Sequence, residues 1–185
     1  MPITKIVVVR HGETQWNLAG KMQGHLDSPL TDVGLAQAAA IAVRLKSYTF
    51  AAIYSSDLSR AYQTAQRIAL ANAQKQIRSD SRLRERCLGI FQGIGKDELE
   101  TQFSKEYRLY QARDPDYIVP NGESLRQFRE RCITCLTELA QRHSGEQILV
   151  VAHGGVLVSL FKHTLGLPLE TPTCFEIVNA SLNVF

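Results

Sequence analysis

Short apolar runs and longer helical stripes alternate along this chain. Lys5 to Val9 is a continuous, β-branched run, the pattern of a strand buried on both faces. Leu30 and Thr31 open a long helical segment. Thr31 is placed as its N-cap, and Val33, Ala36, Ala40 and Val43 fall at helical spacing. Ala51 to Ser55 is strand-like. From about Ser59 a helix follows, with Ala61, Ala65, Ile68 and Ala69 on one face. Gln76 to Arg84 reads as a weak strand, and Lys96 to Arg113 as one helix with Leu99, Phe103, Tyr107 and Tyr110 on one side. Asp114 to Gly122, with two prolines and a glycine, is a loop. Ser124 begins a helix running to about His143, and Gln147 to Ala152 is the clearest strand. His153-Gly154-Gly155 then leads into a helix that ends at Gly166, with Pro168 just beyond. Cys174 to Val178 and Leu182 to Phe185 read as two short strands around Asn179-Ala180-Ser181.

Strands alternating with helical stripes predict an α/β fold, a sheet with helices on both faces. No repeat, low-complexity tract or flexible linker interrupts the pattern, so a single domain over residues 1–185 is expected. The sequence stops while still apolar. A terminal edge strand and a natural chain that continues past Phe185 both fit. An exposed edge strand there could pair with a second copy, which leaves a homodimer open.

Composition narrows the class. With 185 residues, 44% hydrophobic and 21% charged, the chain is an ordinary globular protein rather than a disordered or fibrous one. The 21 basic and 18 acidic residues leave a net charge of +3, too little for the basic stripe of a nucleic-acid binder. A small anionic substrate remains compatible, because a few arginines in one cleft outweigh the total. The N-terminal apolar run is cut off at Arg10, and no stretch reaches the roughly 18–20 apolar residues of a membrane span. Cys87, Cys132, Cys135 and Cys174 fit a reduced, cytoplasmic protein. Cys132 and Cys135 sit on an apolar stripe with Leu125, Phe128, Leu136 and Leu139. With no second pair at zinc spacing, core packing is expected of them and no metal site.

Open α/β sheets bind ligands at the carboxyl ends of their strands. Here those ends carry Arg10-His11-Gly12-Glu13, Asp57-Leu58-Ser59-Arg60 and His153-Gly154-Gly155, and Arg84-Glu85-Arg86 follows the weak strand. Taken singly, His11 and His153 read as structural strand-end histidines, Arg60 as a surface charge and Glu85 as part of an ion-pair cluster. Together they can converge on one pocket with a chemical meaning. Arginines match the oxygens of a phosphoryl group with bidentate donors. A neutral imidazole nitrogen is a nucleophile near pH 7. A carboxyl group can protonate a leaving oxygen and later take a proton from water.

Residues 9–31, V-R-H-G-E-T-Q-W-N-L-A-G-K-M-Q-G-H-L-D-S-P-L-T, resemble the opening signature of the histidine phosphatase superfamily, which includes the cofactor-dependent phosphoglycerate mutases. The resemblance continues in order through S-S-D-L-S-R at 55–60, L-R-E at 83–85, N-G-E-S at 121–124 and A-H-G at 152–154. It implies a three-layer α/β/α sandwich with a mostly parallel central sheet. By position it implies His11 as a nucleophile that becomes phosphohistidine, Arg10, Arg60 and His153 as phosphoryl-binding residues, and Glu85 as the general acid/base. Asn17 and Gln23 border the pocket as further substrate contacts, and His25 could line its rim. No metal or other cofactor is implied.

Three departures set the chain apart from the mutases the resemblance includes. Only about 35 residues separate Glu85 from Gly122, too few for the mutase insertion and a helix of its own. The tyrosine after the acid is missing from Arg86-Cys87-Leu88-Gly89. No arginine pair occurs in Glu106-Tyr107-Arg108-Leu109-Tyr110. The expectation is therefore a metal-independent phosphatase of small phosphomonoesters, with 88–119 as a cap or specificity segment. A phosphoglycerate mutase is the alternative. A non-catalytic binding module is a weaker one, because such a protein would be expected to lose the nucleophile or the acid.

Overall fold

The computed structural model describes residues 2–73 and 76–185. The first apolar run is strand β1 (Lys5–Arg10), followed by a single helical turn, α1 (Gln15–Leu18), and helix α2 (Asp32–Leu45). Strand β2 (Ala52–Ser55), helix α3 (Ser59–Ala71) and strand β3 (Ile77–Ser79) come next. Helices α4 (Lys96–Gln102), α5 (Ser104–Gln111) and α6 (Leu125–Arg142) lead to strand β4 (Gln147–Ala152). Helix α7 (Gly154–Thr164) and strand β5 (Leu182–Val184) complete the series.

The strands form one sheet in the order β3-β2-β4-β1-β5. The first four are parallel, and β5 runs antiparallel to β1. Successive side chains of a strand face opposite sides. Ile6, Val8, Ile148 and Val150 pack with Phe128, Leu136 and Leu157 from α6 and α7. Val7, Val9, Leu149 and Val151 pack with Ile41, Leu45, Ala61 and Ile68 from α2 and α3. This is the three-layer α/β/α sandwich, and it explains why β1 and β4 are apolar at every core position. A smaller cluster of Leu88, Phe91, Leu99, Tyr107 and Val119 holds the segment 88–119 together. Among the described residues no helix is long and apolar enough to cross a membrane.

Four local expectations are corrected. Helix α2 forms where its spacing predicts, but Val33, Ala36, Ala40 and Val43 face outward, and Gly34, Ala38, Ile41, Ala42 and Leu45 face inward. Small residues on the inner face let α2 lie close to α3. The weak strand is three residues long, because the Asp80 carboxylate accepts from Arg82 N–H and turns the chain at once. The helix expected over 96–113 breaks at Phe103, which leaves helical geometry (φ −132°, ψ 41°). Its ring joins Phe91 at 6.2 Å in the smaller cluster. Finally, 174–178 is no strand. The Ile177 carbonyl accepts from the Arg10 guanidinium instead of a neighbouring strand, and only Leu182–Val184 pair with β1.

The order of the strands reverses between β1 and β4, whose following helices, α2 and α7, lie on opposite faces. A crevice opens at such a point, above the carboxyl ends of the strands. The loop leaving β1 is pressed against the start of α2. A Cβ added at Gly34 would overlap the Glu13 carbonyl oxygen, and one at Gly12 the Gly34 carbonyl oxygen. Backbone cannot rotate away as a side chain can. Gly34→Ala is therefore expected to lower the unfolding free energy by about 3 kcal/mol in urea titration. An unchanged midpoint would mean that the two segments are not in fixed contact.

Candidate active site

Register brings the first two histidines together. Arg10 of β1 pairs with Ala152 of β4, so His11 and His153 are the next residues on adjacent strands. His11 N–H donates to the Ala152 carbonyl (3.0 Å), and the two rings lie 5.2 Å apart, tilted by 60°. His11 is 3% exposed and His153 fully buried. His11 Nδ1 lies 2.7 Å from the Gly12 carbonyl oxygen. A carbonyl only accepts, so Nδ1 carries the proton and Nε2 is left with the lone pair. Burial and then the Arg60 guanidinium hold the His11 imidazole well below the usual histidine range, so it is neutral near pH 7. The same two causes act in the same direction on His153. Asn179 Nδ2 donates to the His11 carbonyl (3.0 Å), and Thr64 Oγ1 accepts from Gly12 N–H (3.1 Å), which fixes the loop.

Arg60, 1% exposed, enters from the first turn of α3. Its Nη1 donates to Asp27 Oδ1 (2.6 Å) and the Leu26 carbonyl (2.9 Å), and Nη2 to the Gly24 carbonyl (2.8 Å). Asp27 Oδ2 also accepts from Ser59 N–H (2.6 Å), so one carboxylate starts the helix and steadies the arginine on it. Arg10 is anchored through Nη1 on the Ile177 carbonyl.

Glu85 reaches the cavity from the loop after β3. Its Oε1 accepts from Arg86 N–H and its Oε2 from Gly155 N–H in the first turn of α7, both at 2.9 Å. A Cβ at Gly155 would overlap Oε1. The second glycine after His153 thus makes room for this carboxylate. Behind it, Arg131 of α6 clasps the loop. Nη1 donates to the carbonyls of Arg82 (2.8 Å) and Arg84 (2.9 Å), Nη2 to that of Glu85 (2.8 Å), and Glu123 pairs with the same guanidinium. Glu123 Oε1 also accepts from Cys87 N–H (2.7 Å). His25 does not line the cavity. Its Nε2 bonds the Glu85 carbonyl (2.9 Å) from behind.

Arg10, His11, Arg60 and Glu85 share a cavity of about 310 Å³, which Asn17 and Gln23 also line. Asn17 Oδ1 accepts from Thr14 N–H and Oγ1–H, so its side-chain NH₂ group is what it offers. His153 lies beneath this surface rather than on it. The cavity's most telling feature is its unmatched polar atoms. Among the described residues, four buried side-chain N or O atoms have no partner: Arg10 Nε, Arg60 Nε, His153 Nδ1 and Gln23 Oε1. Ser56 Oγ accepts from Leu58 N–H and lies 2.9 Å from His153 Nε2; where its hydroxyl donates to Nε2, the imidazole proton sits on Nδ1. Three of the four atoms are then donors. Each costs about 1–3 kcal/mol left unmade, and an anion would match them. A wider groove of about 570 Å³ beside α3, lined by Leu35, Tyr62, Gln66, Arg67 and Leu70, gathers no comparable set.

All five residues marked by strand ends and resemblance are therefore brought together, with Asn17 and Gln23 at the cavity wall. The supports Asp27, Glu123, Arg131 and Asn179 were not singled out from sequence. Asp27 and Glu123 lie inside the quoted motifs, where their charge was a signal. Arg131 gave none.

Comparison with known proteins agrees with this constellation. A family model described as "Histidine phosphatase superfamily (branch 1)" matches residues 6–185, and the chain belongs to that family. It is an enzyme of the histidine phosphatase type. It is 42% identical to "Phosphoglycerate mutase-like protein 4" of Arabidopsis thaliana over 98% of this chain and 78% of that protein. It is 39% identical to the "Metal-independent phosphoserine phosphatase" of the same plant, over 98% and 76%. The solved structure of mycobacterial glucosyl-3-phosphoglycerate phosphatase superposes with a TM-score of 0.85 at 32% identity, covering 97% of this chain and 90% of that one.

The buried imidazoles have a consequence for stability. In the folded chain they stay neutral below the pH near 6.5 at which an unfolded histidine takes up a proton. Their contribution is whole above that value and is lost as pH falls toward the lowered folded values. The urea midpoint is expected to fall between about pH 7.5 and about pH 5.5, and to fall less in His153→Asn. Equal declines would take His153 out of this linkage.

Proposed function

We propose that this protein hydrolyses small phosphomonoesters without a metal ion, through a phosphohistidine at His11. The observation that carries the reading is the set of unmatched polar atoms, Arg10 Nε and Arg60 Nε of residues lining the cavity and His153 Nδ1 beneath it, around a neutral imidazole. His11 Nε2 attacks phosphorus, the bond from phosphorus to the ester oxygen breaks, and Glu85 gives that oxygen its proton. Water then attacks the phosphohistidine and passes its proton to the Glu85 carboxylate. Inorganic phosphate leaves, and His11 and Glu85 are restored. The two arginines meet the charge on the transferring group, while the Gly155 N–H at the start of α7 holds the Glu85 carboxyl group in place. Among the described residues no group of three or more His, Cys, Asp or Glu side chains is arranged to hold a metal ion.

The segment 88–119 serves as the cap over the leaving-group end, since Leu88 and Tyr110 line the cavity there. The name of the 42%-identical relative favours a second reading, a phosphoglycerate mutase, in which the phosphoryl group returns to a different hydroxyl. Against it stand the short span after Glu85 and the missing arginine pair.

Phosphate release from p-nitrophenyl phosphate and alkyl phosphates, assayed without added metal, is expected to be lost in His11→Ala with the fold retained. Residual turnover within about tenfold of wild type would overturn the nucleophile assignment. Formation of 2-phosphoglycerate from 3-phosphoglycerate, with little phosphate release, would replace this reading by the mutase. Glu85→Gln is expected to slow alkyl esters by about 10²–10⁴-fold and nitrophenyl esters far less, because nitrophenolate needs no proton. Arg131→Met should show the same leaving-group dependence in weaker form. Equal losses on both ester types would count against the acid role.

A further inference from the structure

The turn Asn179-Ala180-Ser181 carries no charge and lies far from His11 in sequence, with 168 positions between Asn179 and His11, yet it closes on that histidine. Its backbone follows the end of β1. The Ser181 carbonyl accepts from Arg10 N–H (3.3 Å), and Ala180 N–H donates to the carbonyls of Arg10 (3.1 Å) and His11 (3.3 Å). Ser181 N–H returns to the Val178 carbonyl (3.2 Å), which closes the turn on itself. Ala180 sits at φ 55°, a left-handed conformation that disfavours any residue with a Cβ, and its bonds to Arg10 and His11 offset that cost. The Arg10 guanidinium is tied to the same stretch through the Ile177 carbonyl.

The Asn179 side chain adds what the backbone does not. Its Nδ2 donates to the His11 carbonyl (3.0 Å) and, over a longer reach, to Asn17 Oδ1 (3.4 Å). Both oxygens can only accept, so the NH₂ end of the amide faces them and its own oxygen points away. Asn17 Oδ1 already takes two bonds from Thr14, whose Oγ1 in turn accepts from Asn17 N–H (3.1 Å). The third donor pins the Asn17 oxygen and leaves its NH₂ group to the cavity it lines. On the other arm, the His11 ring is held through Nδ1 by the next carbonyl, that of Gly12, so a shift of the His11 backbone carries the ring with it. Strand β5 needs none of this: Leu182–Val184 pair with β1 through the backbone, and both acceptors of Asn179 lie beyond the end of β1. Asn179 itself does not line the cavity.

We propose that Asn179 is a positioning residue for phosphoryl transfer. Its one amide group fixes the His11 carbonyl and Asn17 Oδ1 relative to each other, which keeps His11 Nε2 and the Asn17 NH₂ group aimed at the same phosphoryl group. The proposal rests on the phosphatase reading above and goes beyond it, because Asn179 acts only through the two residues it binds.

The test is a double-mutant cycle of Asn179→Ala and Asn17→Ala, with urea midpoints used to identify folded variants. It is read as kcat/KM for p-nitrophenyl phosphate without added metal, and as the Kd of inorganic phosphate by calorimetry. Asn179→Ala is expected to lower kcat/KM by about 10–100-fold, mostly in kcat, because a misplaced nucleophile slows the chemical step. It is expected to raise the phosphate Kd by about threefold or more. In Asn17→Ala protein the same substitution should leave the Kd within about twofold and cost kcat/KM a smaller factor. Equal factors in both backgrounds, or wild-type kcat/KM in Asn179→Ala, overturn the positioning role. Asn179→Asp has the same size but lacks both N–H donors, and activity restored in it relative to alanine would overturn the role as well. A further check needs no variant: by NMR, the side-chain amide protons of Asn179 are expected to exchange at least about tenfold more slowly than those of the exposed Asn121. Equal exchange would remove the bonds on which the proposal stands. If wild type shows no His11-dependent hydrolysis, the phosphatase reading fails, and the phosphate cycle still decides whether Asn179 holds Asn17.

Discussion

The parallel pairing of β1 with β4 is the constraint on which the rest of this molecule depends. It sets Arg10 beside Ala152, and the next residue of each strand is a histidine. A one-residue slip would send Val7 and Val9 to the wrong face and part the two rings. Every core position of both strands is apolar because both faces are covered, so register is held by packing on two sides. The histidines share their position at the sheet's carboxyl edge with two helix starts, those of α3 and α7, and both bring polar groups to the same place. The site is therefore a product of the sheet rather than of any single loop.

Electrostatics gives that location its character. Arg60 is buried beside two imidazoles that burial has already made hard to protonate, and its own charge makes protonation harder still. A positive neighbourhood thus keeps the histidines neutral, while its unmatched N–H groups await an anion. The one wall carboxylate, Glu85, is held in place from both sides. Amide N–H groups bind its oxygens in front, and Arg131 and His25 bind its carbonyl behind. The carboxyl group and the backbone behind it are thus both fixed by hydrogen bonds.

Much of this was legible in the chain because the signals are local. Continuous β-branched runs gave β1 and β4, and Thr31 and Ser124 cap α2 and α6 as their sequence positions predict. The chemistry-bearing residues stood out because they follow strand ends. The misreadings arose where packing at a distance decides. Helix α2 is apolar almost all round, so spacing alone could not choose its inner face. The close approach of α3 chose the small residues. The break at Phe103 reflects the pull of an aromatic cluster that includes Phe91, outside the helix itself. Cys174 to Val178 has the composition of a strand, but Arg10 takes the Ile177 carbonyl. The supports of the site escaped for the same reason. Arg131 and Glu85 are 46 positions apart, and no local pattern joins them.

The sheet order also dictates when the site can exist. Strand β1 is made well before its neighbours in the sheet, 147–152 and 182–184, which lie more than 130 positions later in the sequence. Contacts so distant in sequence form late and slowly. During synthesis the apolar β1 cannot make its β4 pairing until residues 147–152 have emerged. His11 is made before β4, but its burial beside the His153 ring cannot precede the arrival of residue 153. The same topology that builds the pocket withholds it until both strands are present.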